Sequence, residues 1–81
     1  MENMTLQHFI ENCARENTRM NFVLPGAVIS GEYENLTSLT FILTLKNCII
    51  YTGKTSVSVN SINLSAEKDI IAWGIGNAEI K

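Results

Sequence analysis

The chain has 81 residues, 46% of them hydrophobic and 17% charged, with 6 basic and 8 acidic side chains. That length allows one domain, 1–81, with a small core that association with other chains would help to stabilise. The net charge of -2 excludes a general phosphate-binding surface though not a local basic patch, the ordinary apolar share excludes disorder, and no apolar run reaches the ~18 residues of a membrane span.

Met1-Glu2-Asn3-Met4 carries no basic region, and an amphipathic segment follows it, so no secretory signal is expected. This reading places the chain in the cytoplasm, with Cys13 and Cys48 as reduced, buried thiols. Two distant thiols and one histidine, His8, provide no four-ligand metal site, and neither metal nor cofactor is expected. The sequons at Asn3, Asn35 and Asn63 read as chance matches in a chain rich in Asn and Thr.

Leu6, Phe9, Ile10, Cys13 and Ala14 recur at helical spacing, which predicts a helix over about 5–16 with Thr5 as its N-cap. Glu11 precedes Arg15 by one turn, the favourable order for an ion pair, and Asn17 suits a left-handed helix end. The period then changes to two. Met20, Phe22 and Leu24 lie in phase on a strand over about 19–24. Pro25-Gly26 is a tight turn, and a second strand covers 27–34 with Ala27, Ile29 and Tyr33 on one face and Gly31 marking a bend or close approach. Asn35-Leu36-Thr37-Ser38 reads as a loop. Leu39, Phe41, Leu43 and Leu45 alternate on a strand over 39–45, Lys46-Asn47 reads as a turn, and a further strand covers 48–52. After the Thr52-Gly53-Lys54 turn, a strand over 55–64 changes parity between Val59 and Ile62, which calls for a bulge or break near Asn60-Ser61. A last strand covers 70–75, and Asn77 to Lys81 reads as a frayed tail.

One helix cannot cover so many strands as a second layer. The expected fold is mainly β with one N-terminal α-helix: a small, strongly bent antiparallel barrel of Sm-like or SH3-like type, with the helix capping one end.

In the order of its residues the chain resembles the Sm-like family, and within it the branch of the bacterial RNA chaperone Hfq. Leu6-Gln7 opens the helix, with Asn12 and Arg15 in register behind it. Gly26 and Gly31 match glycines of the first turn and the bent second strand. Leu39 through Lys46-Asn47 is similar to the third strand, and Tyr51 falls near the tyrosine of the fourth. The resemblance covers about 5–59. Thr37 stands where an acidic residue is expected, Thr52-Gly53-Lys54 replaces the family's Lys-His pair, and 60–75 extends beyond the minimal fold. The resemblance implies a homo-oligomeric ring that binds single-stranded RNA by stacking and base-edge contacts. Carried over, Phe22 lines one face, and Gln7, Leu39, Tyr51 and Lys54 surround the pore on the other. Phe22, in phase with Met20 and Leu24, also suits a core position.

The residues themselves offer little for catalysis, and no enzyme is expected. Glu32 and Glu34 project in parallel from one strand, which suits a solvated edge better than a cation site. Gly74-Ile75-Gly76 lacks the lysine and helix start of a phosphate loop. Two non-enzymatic functions stay open: an RNA-binding ring, and a protein-protein adaptor or scaffold without nucleic acid. Clustering of Arg15, Arg19, Lys46 and Lys54 on one face would favour RNA; scattering would favour the adaptor.

Overall fold

A computed structural model describes residues 5–76. The frayed tail expected at Asn77–Lys81 and the Met1–Met4 start lie outside the described residues. Helix α1 spans Leu6–Glu16. The Thr5 hydroxyl accepts from the His8 N–H at 3.2 Å, and Asn17 closes the other end in the left-handed conformation, φ 55°. Phe9, Ile10 and Cys13 are buried and Leu6 is half-buried against the same core, as the apolar stripe requires. Glu11 and Arg15 do not pair with each other. Gln7 donates to Glu11, and Arg15 donates to Asn12.

Five strands follow: β1 (Met20–Leu24), β2 (Ala27–Thr37), β3 (Ile42–Thr52), β4 (Thr55–Ser65) and β5 (Ala72–Gly74). They form one antiparallel sheet in the order β4-β3-β2-β1-β5, open between β4 and β5. One core gathers Phe9, Ile10 and Cys13 from α1, Met20 and Phe22 from β1, Ile29 from β2, Leu43, Leu45 and Cys48 from β3, and Leu64 from β4. A flat sheet cannot bring β4 and β1 to one core across two intervening strands, so the sheet curls on itself. Phe9 closes an opening of the curl, its ring edge-on to Phe22 at 6.1 Å and tilted against Trp73 of β5 at 6.4 Å.

Several strand boundaries differ from the sequence reading. Asn35-Leu36-Thr37 is not a loop but the end of β2, paired with Thr44, Leu43 and Ile42. The strand expected from Leu39 begins at Ile42, because residues 38–41 form the β2–β3 turn. Lys46-Asn47 is not a turn either, and the strands expected on its two sides are one continuous β3. Asn47 takes a left-handed conformation, φ 51°, inside that strand. A residue so placed reverses the alternation, which is why Leu43 and Leu45 reach the core on one parity and Cys48 on the other. The parity change in β4 is the same event seen from its partner. Lys46 pairs Ser61 and Cys48 pairs Val59 with no register shift, so the two strands bend together and no residue is inserted at Asn60-Ser61. On the other side β2 does shift register against β3, between Ser30 and Glu32 and again between Tyr33 and Asn35. Gly31 faces the first shift. A Cβ there would stand 3.1 Å from Leu45 Cβ and 3.2 Å from Cys48 Sγ, so any larger residue must push these neighbours aside by a few tenths of an ångström. The last strand is only Ala72–Gly74, and Ile70, Ile71 and Ile75 lie outside it.

Arg19 holds the bend. Its Nε donates to Ser30 Oγ at 2.7 Å, one terminal nitrogen donates to the Asn47 carbonyl at 2.6 Å and the Ser30 carbonyl at 3.3 Å, and the other meets Glu32 at 3.4 Å. Ser30 is buried, so this arginine satisfies a polar group that water does not reach.

Candidate functional site

Antiparallel pairing of Ile42 with Ser65 brings the β2–β3 and β4–β5 turns to one end of the barrel. The backbone N–H of Ala66, at the start of the β4–β5 turn, donates to the Phe41 carbonyl at 3.0 Å. That turn closes on itself: the Asp69 carboxylate accepts from the Ser65 N–H at 3.0 Å, and the Ser65 hydroxyl accepts from the Lys68 N–H at 3.3 Å. Phe41 lies in the β2–β3 turn at φ 53°. A left-handed phenylalanine costs roughly 1–2 kcal/mol, so surrounding contacts must hold it there.

Beside Phe41 the end of β2 and the outer face of α1 enclose an open groove of about 500 Å³. Ala14, Leu36 and Phe41 give it apolar surface over the buried Ile10, and Gln7, Glu11, Arg15, Tyr33 and Ser38 give it polar groups. Apolar surface with a few polar groups at this volume suits one flat, partly polar ligand.

The sequence-derived candidates do not converge here. Gln7 is at the groove. Leu39 belongs to the same β2–β3 turn, but it is 99% exposed and does not line the groove. Tyr51 and Lys54 lie at the far end of the eleven-residue β3 and in the turn beyond it, opposite the end where residues 38–41 sit. Tyr51 pairs with Val28 and Ser56 and is half-buried. Phe22 is 0% exposed and packs edge-on to Phe9, so its ring has no free face for a base. Tyr51 therefore sits on the third strand, not the fourth. The turn that follows the fourth strand is 66–69, with Glu67, Lys68 and Asp69 where the resemblance calls for a Lys-His pair. Phe41 was missed because unbroken alternation from Leu39 to Leu45 counts it as core. No sequence signal marks its left-handed backbone.

The cations are scattered over one copy of the chain. Arg15 lines the groove, Arg19 is paired with Glu32 at the bend, Lys46 is exposed in the middle of β3, and Lys54 is at the far end. Burial pushes the Cys13 thiol up, with the charge of Glu16 adding to it. Burial also raises Cys48, against a smaller opposing effect of Arg19. Neither thiol is set up as a nucleophile. Among the described residues no group of three or more His, Cys, Asp or Glu side chains is placed to hold a metal ion, and no helix is long and apolar enough to cross a membrane.

No protein-family model matches the chain, and no curated protein matches it. Solved structures do. A crystal structure of an Sm-like protein from Archaeoglobus fulgidus superposes with a TM-score of 0.67, over 94% of this chain and 100% of that one, at 14% sequence identity. The fold is Sm-like. The match extends well past residue 59, so β4 and β5 belong to the Sm-like barrel and are not an extension of it. At this identity the likeness is one of fold, and the Hfq branch is not distinguished from others.

Proposed function

We propose that the protein is a single-domain, non-enzymatic Sm-like barrel that assembles into a ring with copies of itself and binds single-stranded RNA, as the Hfq branch does, at the end where the β2–β3 and β4–β5 turns meet. The observation that carries this reading is the groove beside Phe41, which pairs apolar surface with polar groups from α1 at that end of an Sm-like fold. Scattered cations and an acidic β4–β5 turn leave little attraction for phosphates. Binding through bases is then favoured over binding through the backbone, with a shallow dependence on salt.

Assembly is supported by the two open edges. β4 is eleven residues long and carries no charge and no proline, so nothing blocks another strand from pairing with it. The segment around β5 exposes Ile71, Trp73 and Ile75. Unlike edges that satisfy each other join head to tail, an association that closes into a ring when the rotation between neighbours divides a full turn.

The scattered cations also favour a second reading, a protein adaptor ring without RNA. Native mass spectrometry with and without a short single-stranded RNA separates the two. The expected result is a species at a multiple of 9.0 kDa that retains RNA. A ring that retains none would favour the adaptor, and a 9.0 kDa monomer would contradict both.

A further inference from the structure

The hydrogen bonding at the rim of the groove leaves a defined set of acceptors. Gln7 and Glu11 stand one helical turn apart, and Gln7 Nε2 donates to Glu11 Oε2 at 3.2 Å. A carboxylate offers only acceptors, so the amide has to give it the NH₂ group. Two acceptors remain on these two hydrogen-bonded groups, the Gln7 amide oxygen and the second Glu11 oxygen, and neither has a partner among the described residues.

Paired acceptors call for paired donors. Guanine alone among the four RNA bases has two neighbouring N–H donors on its pairing edge, the ring N1–H and the exocyclic N2 amine. Adenine and cytosine each set one donor beside an acceptor, and uracil sets one donor between two acceptors. Ala14, Leu36 and Phe41 supply apolar surface for the faces of the base, and the volume of about 500 Å³ accommodates a nucleoside. The Glu11 charge repels phosphate, whereas Arg15, one turn further along α1 and also lining the groove, attracts it. A nucleotide with its base at Gln7 and Glu11 and its phosphate toward Arg15 satisfies both.

We infer that this groove selects guanine within a single strand, with Gln7 and Glu11 accepting from its N1–H and N2 amine and Arg15 contacting the backbone. The inference rests on the RNA-binding reading above and names the base that the site prefers.

The test is fluorescence anisotropy of the full chain with labelled pentanucleotides in which four uridines flank a central guanosine, inosine or uridine. Inosine keeps N1–H and loses only the amine. Guanosine should bind at least about fivefold more tightly than either of the others. Glu11→Ala should bring the three together while leaving the helical circular dichroism unchanged, since Glu11 is exposed and alanine favours a helix. Equal binding of all three by the wild type, or a guanosine preference that survives Glu11→Ala, would overturn the selectivity while leaving RNA binding intact. Failure of all three to bind would overturn both.

Discussion

Arg19→Met should cost the fold about 2–3 kcal/mol. Methionine keeps the apolar stem and removes the guanidinium. What is lost is two short charge-assisted hydrogen bonds, to Ser30 Oγ at 2.7 Å and to the Asn47 carbonyl at 2.6 Å, with longer contacts to the Ser30 carbonyl and Glu32. A hydrogen bond to a charged group contributes roughly 1.5–3 kcal/mol net, and the low end applies because the arginine side chain is 34% exposed and water replaces part of each bond. The Glu32 ion pair, half-exposed on both sides, adds at most about 1 kcal/mol. The buried Ser30 hydroxyl would lose the only side-chain partner it has among the described residues, and the left-handed Asn47 would lose the group that holds its carbonyl. Urea denaturation at fixed protein concentration, followed by Trp73 fluorescence, measures the loss. Glu32→Gln, compared in the same way, should cost less than about 1 kcal/mol. A loss below about 0.5 kcal/mol for Arg19→Met, or equal losses for the two variants, would refute the claim that this arginine clamps the bend.

Gly31→Ala should destabilise by about 1–3 kcal/mol, read in the same denaturation, because the new methyl meets Leu45 Cβ, which has no freedom to rotate away. Phe9→Ala should cost about 3–5 kcal/mol through the cavity left between Phe22 and Trp73, and should shift Trp73 emission to the red. Cys13 and Cys48 should resist a thiol reagent in the native protein and react on unfolding. Because burial raises both thiols above their ordinary range, the unfolded chain releases these protons first, and stability should fall as pH climbs through that range; an unchanged melting temperature there would contradict it.

The helix was legible because its evidence is local: the Leu6 to Ala14 stripe, Thr5 at one end and Asn17 at the other all lie within one short segment. The bent sheet was legible as a class, since alternation and Gly31 both point to it. The bend itself was not. Lys46-Asn47 has the composition of a turn, and only the partner strands show that Asn47 is left-handed within a continuous β3. One such residue reverses the parity of everything after it in β3 and in β4. The candidate site suffered from the same kind of error at Phe41, whose backbone breaks the alternation that made Leu39 its equivalent. Aligning Tyr51 with the fourth strand then carried the expected pore contacts to the opposite end of the barrel, and only Gln7, read from the helix, landed at the groove.

The two ends of the barrel differ in what they offer an RNA strand. The affinity of a short labelled single-stranded RNA for wild type, Phe41→Ala and Lys54→Ala, measured by anisotropy, tests it most directly. Stacking contributes about 1–3 kcal/mol per base, so Phe41→Ala should weaken binding at least about fivefold. Lys54→Ala, at the far end of β3, should leave it unchanged. Loss of binding with Lys54→Ala and none with Phe41→Ala would put the RNA at the opposite end of the barrel and contradict the account.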